Sequence, residues 1–218
     1  MRERRSRAPP ATLGAAIRAV ALAACTVVAT PAWAQNRDAA VTNAGETLLA
    51  SRRLSVPVDG VAATALRDSF DDGRPGHRHE AIDIAAPKGT QVFAVDDGKL
   101  VKLFTSVPGG LTVYQFDPNG ELAYYYAHLD RYADGLHEGM ALHRCDLLGH
   151  VGTSGNAPPL TPHLHFAVFR LGPEHRWWKG TPLNPFPALT QPNSAARATT
   201  GSNPLATAPV SASRPDCR

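Results

Sequence analysis

The chain has 218 residues, 43% of them hydrophobic and 19% charged, which suits one packed domain with shorter flanking segments. Its formal charge of +3 is misleading, because residues 1–34 hold five Arg and one Glu and leave 17 basic and 18 acidic residues for the remainder. That balance excludes nucleic acid as the expected partner, and 18 Gly with 19 Pro argue for a turn-rich β architecture over a helix bundle.

The N-terminus reads as an export signal. Arg2, Arg4, Arg5 and Arg7 form a positive region, residues 19–30 an apolar one, and Ala32-Trp33-Ala34 a small-x-small site cut before Gln35. Arg18 and Pro31 bracket twelve residues, short of the ~20 that span a bilayer. The expectation is an exported protein of the periplasm or cell envelope, monomeric and without a transmembrane segment. Leu22-Ala23-Ala24-Cys25 offers a competing lipoprotein reading with Cys25 acylated. After simple cleavage only Cys145 and Cys217 remain. They could pair in an oxidising compartment, but free thiols are the favoured expectation, because Cys217 lies in a tail without structural signals.

Residues 35–55 form a polar lead-in with a short helical stretch at 46–54. The segment 56–187 is dense in short strands and turns. Residues 90–95 alternate and end at Asp96-Asp97-Gly98; strands follow at 99–105, 111–116 and 122–128, with Asn119-Gly120 tipping a hairpin between the last two. This rhythm predicts an all-β fold, an antiparallel sandwich or barrel. Residues 188–218, rich in Ala, Thr, Ser, Pro and Asn without periodicity, are expected to be disordered.

Three segments carry chemistry: His79-Glu80-Ala81-Ile82-Asp83, Tyr126-Ala127-His128-Leu129 and His163-Leu164-His165-Phe166. Residues an even number apart on a strand share a face. His79 and Asp83, and likewise His163 and His165, are therefore expected on one face, with Ile82, Ile84, Leu164, Phe166 and Val168 turned to the core. Neighbouring strands of this kind gather imidazoles and a carboxylate into one groove. Such donors suit zinc, whose catalytic sites keep three protein ligands and one open position.

These segments resemble the lysostaphin/LytM zinc metallopeptidases, which hydrolyse peptide bonds of bacterial peptidoglycan. His79 to Asp83 with Ala86-Pro87-Lys88-Gly89-Thr90 is similar to their H-x-x-x-D and A-P-x-G-T motif. Tyr126-Ala127-His128-Leu129 is similar to Y-x-H-L, and Gly152-Thr153-Ser154-Gly155-Asn156 with Pro162 to Phe166 to a glycine turn and H-x-H. The resemblance covers residues 56–187. It implies one zinc held by His79, Asp83 and His165, with His128 and His163 as catalytic histidines. Peptidoglycan peptides are the implied substrate, with D-alanyl–diaminopimelate cross-links favoured over glycine bridges. The alternative it leaves open is a non-catalytic activator or peptidoglycan-binding module. Glu80-Ala81, where relatives often carry a Gly, implies a tighter turn before Asp83, and Cys145 also stands where a Gly is common.

Other residues receive plainer readings. His77 precedes His79 in a second H-x-H pair and is expected in a solvated loop. His137, His143, His150 and His175 read as surface imidazoles. Trp177-Trp178 reads as a core or edge pair before a glycan-stacking surface. Ser154 lacks the spacing of a serine-nucleophile turn and reads as part of a tight turn.

Overall fold

Alternation in two segments sets the architecture. Leu122, Tyr124 and Tyr126 in β7 (Leu122–Tyr132) and Leu164, Phe166 and Val168 in β10 (His163–Leu171) are all buried. The two strands pair antiparallel, Phe166 opposite Tyr126 and His165 opposite Ala127. Residues directly opposite share a face, so the apolar six face one way and Tyr125, Ala127 and His165 the other.

The computed structural model describes residues 32–52, 54–191 and 217, with side chains from residue 42 onward. Its main sheet has nine strands, all antiparallel, and does not close into a barrel. On one side of β7 lie β6 (Gly110–Phe116), β5 (Gly98–Ser106) and the short β8 (Ala141–Leu142). On the other side β10 pairs with β3 (Ile82–Ala85) through its first half and with β11 (Gly180–Leu183) through its second. The end of β7 pairs with β9 (Leu147–Val151), which carries β4 (Gln91–Phe93). A separate hairpin joins β1 (Gly73–Arg74) to β2 (His77–Arg78). The expected all-β class and the hairpin over Asn119-Gly120 are both observed.

Buried hydroxyls in the core are satisfied. Tyr126 donates to Gln115 Oε1 at 2.8 Å and accepts from Val95 N at 3.1 Å. Tyr124 donates to Asp96 Oδ2 at 3.0 Å, and Arg144 donates to Asp96 Oδ1 at 2.9 Å. Unpaired, each group would cost about 1–3 kcal/mol. The hairpin tip is held by Asp117, which pairs with Arg52 and accepts from Glu121 N at 2.6 Å and Leu122 N at 2.8 Å.

The packed unit extends beyond the expected 56–187 at both ends. A helix α1 (Ala32–Ser51) begins earlier and ends earlier than the stretch read at 46–54, and places Leu49 in the core beside Leu54. It lies against β11, where a Cβ on Gly45 would come within 2.8 Å of Leu183 Cδ2. A second helix α2 (Phe186–Thr190) buries Ala188 and Leu189, so the tail begins after it. The proposed export signal lies outside the described residues except for 32–34, which start α1, and most of the tail, 192–216, lies outside them too. No helix among the described residues is long and apolar enough to cross a membrane.

The free-thiol expectation is corrected. Cys145 and Cys217 form a disulfide with a Cα–Cα distance of 5.2 Å across a sequence separation of 72. The composition of the tail carries no information about a covalent tie at its far end. Closing a loop of that size removes denatured-state entropy worth roughly 4–4.5 kcal/mol. Reduction, or Cys217→Ser, should therefore lower the urea midpoint by a corresponding amount. An unchanged midpoint after complete reduction would show that the tie constrains little.

Candidate metal centre

His79 and Asp83 do not share a strand, contrary to the expectation from their spacing. β2 ends at Arg78, β3 begins at Ile82, and between them Glu80 adopts φ 55°. That conformation is strained for a residue with a Cβ, and the surroundings hold it. His79 N donates to Asp72 O and Glu80 N to Phe70 O, both at 2.9 Å. Ser69 secures the two ends of the bend: its carbonyl accepts His79 Nδ1–H at 3.0 Å, and its hydroxyl accepts Asp83 N–H at 3.2 Å. A turn, rather than strand alternation, brings the pair together.

His128 reaches the groove by a different local irregularity. Counted by alternation from Tyr124 and Tyr126, it would point into the core. Instead β7 carries an extra residue against β6, where the register shifts between Leu111 and Val113, and His128 takes φ 63°. A bulge of this kind re-aims one side chain. It turns His128 to the face of Tyr125 and Ala127 and returns Leu129 to the core.

The wall beside His128 depends on close backbone approach. Gly155, at φ 75°, lies so near residues 108–110 that a Cβ would come 2.3 Å from Gly110 N and 2.5 Å from Pro108 O. Only glycine fits there. Ser154 hands its carbonyl to His128 Nδ1–H at 2.8 Å. Its hydroxyl donates to Leu129 O at 2.7 Å and accepts from Leu111 N at 3.0 Å, a structural role that fits the tight-turn reading.

β10 is regular, and here alternation works. His163 and His165 share a face, and His165 stands opposite Asp83 of β3. The three atoms His79 Nε2, Asp83 Oδ1 and His165 Nδ1 form a near-equilateral triangle, with separations of 3.0, 3.1 and 3.1 Å. These two histidines and one aspartate form a group that could hold a metal ion. His163 Nε2 stands 3.8 Å from Asp83 Oδ1, outside that triangle, and its Nδ1–H donates to Thr161 O at 2.8 Å. His128 lies 5.1 Å from His163 and 5.6 Å from His165, ring centre to ring centre.

Together these residues line an open groove of about 710 Å3, with walls from the 108–109 and 156–162 loops and the β1–β2 hairpin. Among the described side chains, none from 42–52 or 54–55 lines it. His77 lies on its rim, exposed in β2 and not in a loop, outside the donor triangle. Arg74 escaped the sequence reading: it donates to Asp83 Oδ2 at 2.8 Å, leaving Oδ1 to face the histidines. Nothing in the linear spacing of Arg74 announces this, because it depends on a two-residue turn folding the hairpin back.

Burial alone would raise the Asp83 pKa, but the adjoining nitrogens of His165 and His79 outweigh it and hold the carboxyl well below the usual carboxylate range. Burial pushes His165 down and pushes His128 down to about 4, the bond to Ser154 opposing only in part. Both rings are thus kept neutral near pH 7, the form that ligates a metal or takes up a proton.

Comparison with known proteins agrees with this geometry. The chain is 30% identical over 131 residues to an L-Ala–D-Glu endopeptidase of Bacillus subtilis (strain 168), an alignment covering 56% of this chain and 39% of that protein. It is 26% identical over 132 residues to a glycyl-glycine endopeptidase of Staphylococcus capitis, covering 60% of this chain and 34% of the other. The chain thus spans well under half the length of these two relatives. Among solved structures, a protein of Ruminococcus gnavus described as a candidate glycyl-glycine endopeptidase, LytM, shares the fold with a TM-score of 0.53. It is 24% identical, covering 72% of this chain and 65% of that one. The model of peptidase family M23 matches residues 77–185, half of the chain and the stretch that holds His79, Asp83, His128, His163 and His165, and the protein belongs to that family.

Proposed function

We propose that the protein is a zinc-dependent endopeptidase that hydrolyses peptide cross-links of bacterial peptidoglycan, acting outside the cytoplasm as a monomer. The observation that carries this reading is the triangle of His79 Nε2, Asp83 Oδ1 and His165 Nδ1 at the floor of an open groove. Family membership and the two endopeptidase relatives support it.

The donor set fits zinc. Tetrahedral zinc with ligands at 2.0–2.2 Å would need them roughly 3.3–3.6 Å apart, slightly wider than the 3.0–3.1 Å separations here. Because His79 Nδ1–H is committed to Ser69 O, Nε2 of that tautomer turns a lone pair toward the Asp83 carboxylate. Two electron-rich atoms 3.0 Å apart are the arrangement a cation suits. When bound, zinc would supply Lewis acidity and lower the pKa of a bound water toward roughly 7.

The chain's own groups do the rest. His128 and His163 each give Nδ1–H to a backbone carbonyl, of Ser154 and Thr161, which leaves each Nε2 with a lone pair. One of them takes the proton from the attacking water on that lone pair, and the other steadies the negative charge that develops on the substrate oxygen once its own Nε2 carries a proton to donate. Arg74 holds Asp83 Oδ2 and so fixes which carboxylate oxygen faces the histidines.

Substitution separates the two roles. His165→Ala should abolish both zinc binding and cleavage of purified peptidoglycan. His163→Ala and His128→Ala should keep about one zinc per chain while cleavage falls by ~10²–10⁴. Loss of zinc from His163→Ala with retention by His165→Ala would reverse the assignment, and intact cleavage in all three variants would sink the enzyme reading.

A pH effect on the metal-free protein follows from His128. Its pKa falls from an ordinary 6.5 to about 4 through burial, so between these values the unfolded state binds more protons than the native one. The stability it contributes is complete above pH 6.5 and is lost as pH falls toward 4. Chelated protein should lose about 2 kcal/mol from this ring between pH 7 and 5, measured by urea unfolding, and His128→Asn should flatten that slope. A slope unaltered by the substitution would show that His128 is not buried as described.

A further inference from the structure

Among the described residues the exposed large apolar side chains are Phe104, Val107, Leu160 and Trp178. Val107 adjoins the groove residue Pro108, and Leu160 stands between Pro158 and Thr161, both groove residues. Phe104 and Trp178 belong to an aromatic strip that starts at the groove and leaves it. Tyr125, in the groove wall, packs 6.0 Å from His165 and 4.6 Å from Tyr114, ring centre to ring centre. Tyr114 lies 4.8 Å from Trp177, which in turn meets Phe104 at 5.3 Å and Trp178 at 5.1 Å. Arg176 sets its guanidinium 5.3 Å from the Trp178 ring centre. Of these aromatics only Tyr125 lines the groove.

We propose that Phe104, Trp177 and Trp178 form a saccharide subsite that holds the N-acetylated glycan strand beside the groove while its peptide lies across the metal centre; this rests on the wall-peptidase reading above. The size of the platform selects the occupant. Phe104 is 39% and Trp178 57% exposed, an area on the order of 200 Å2 for two aromatic side chains. A second protein chain held stably needs about 800 Å2 per partner. A pyranose ring matches one or two aromatic faces: its C–H face lies on the π surface, and its rim hydroxyls remain free for donors such as Arg176. Continuity supports the same occupant. A peptide stem in the groove is covalently attached to sugar, and the strip is the apolar surface leading from the groove wall to open solvent.

The test uses the full chain and a peptide-free β-1,4 N-acetylglucosamine hexasaccharide, titrated calorimetrically. Wild-type protein should bind it, and Trp178→Ala should weaken binding by about tenfold, the size of one stacking contact. Because Trp178 is half exposed, the variant should keep its unfolding midpoint and, within about twofold, its hydrolysis of a glycan-free cross-linked peptide. Cleavage of intact wall should fall. No binding of the hexasaccharide at about 5 mM, or equal binding by Trp178→Ala, overturns the proposal. So does a raised KM for the glycan-free peptide, which would assign the strip to peptide, or a sedimenting dimer that Trp178→Ala dissociates. Trp178-dependent sugar binding by a protein that cleaves no peptide would uphold the subsite and remove the peptidase reading; peptide cleavage without sugar binding would do the reverse.

Discussion

The site depends on backbone carbonyls that fix how the imidazoles point. Ser69 O, Ser154 O and Thr161 O each accept Nδ1–H from a histidine, of residues 79, 128 and 163 in turn. An imidazole with one nitrogen committed in this way has its tautomer and ring orientation settled before any ligand arrives. The three carbonyls belong to irregular segments: the stretch before β1, the glycine turn after β9 and the loop leading into β10. The regular sheet supplies the floor, and the loops around it aim the rings. Displacement of any one carbonyl by an ångström would free a ring to rotate and let its Nε2 leave the groove.

Electrostatics follow from that arrangement. Asp83 is the one carboxylate among the five groove residues assigned to metal or catalysis, and it is contacted on both oxygens: Arg74 on Oδ2, histidine nitrogens on Oδ1. A carboxylate so surrounded stays ionised despite burial, and its charge is confined to the centre of the groove. Burial keeps the nearby His128 and His165 rings neutral. Charge separation of this kind, one fixed anion beside neutral rings, would let one small site keep the proposed metal-binding and proton-handling roles apart.

Much of this was legible in the residues, and the limits have physical causes. His163 and His165 were placed correctly because β10 is a regular strand with a period of two, and Leu164, Phe166 and Val168 bury as that period requires. The period fails for His128, where a bulge shifts the parity by one, and for His79, which leaves β2 before a turn at Glu80. The short polar motifs still identified both, since residue type and spacing register what periodicity cannot. Arg74 and Ser69 left no such trace: their contacts with the metal motif exist only once the hairpin and the bend have formed. Cys145 and Cys217 were misjudged because composition describes local order and says nothing of a long-range covalent partner.

That covalent tie changes the topology of the chain as a cut or a pull would meet it. Residues 145–217 form a closed ring that contains β9, β10, β11 and α2, and with them His163 and His165. One proteolytic nick anywhere inside the ring yields two pieces that remain joined, with both histidines still tethered to the sheet. Tension applied at residue 217 bypasses the ring and is borne at Cys145. β10, which carries His163 and His165, therefore lies off the mechanical path between residue 217 and the strands that precede Cys145.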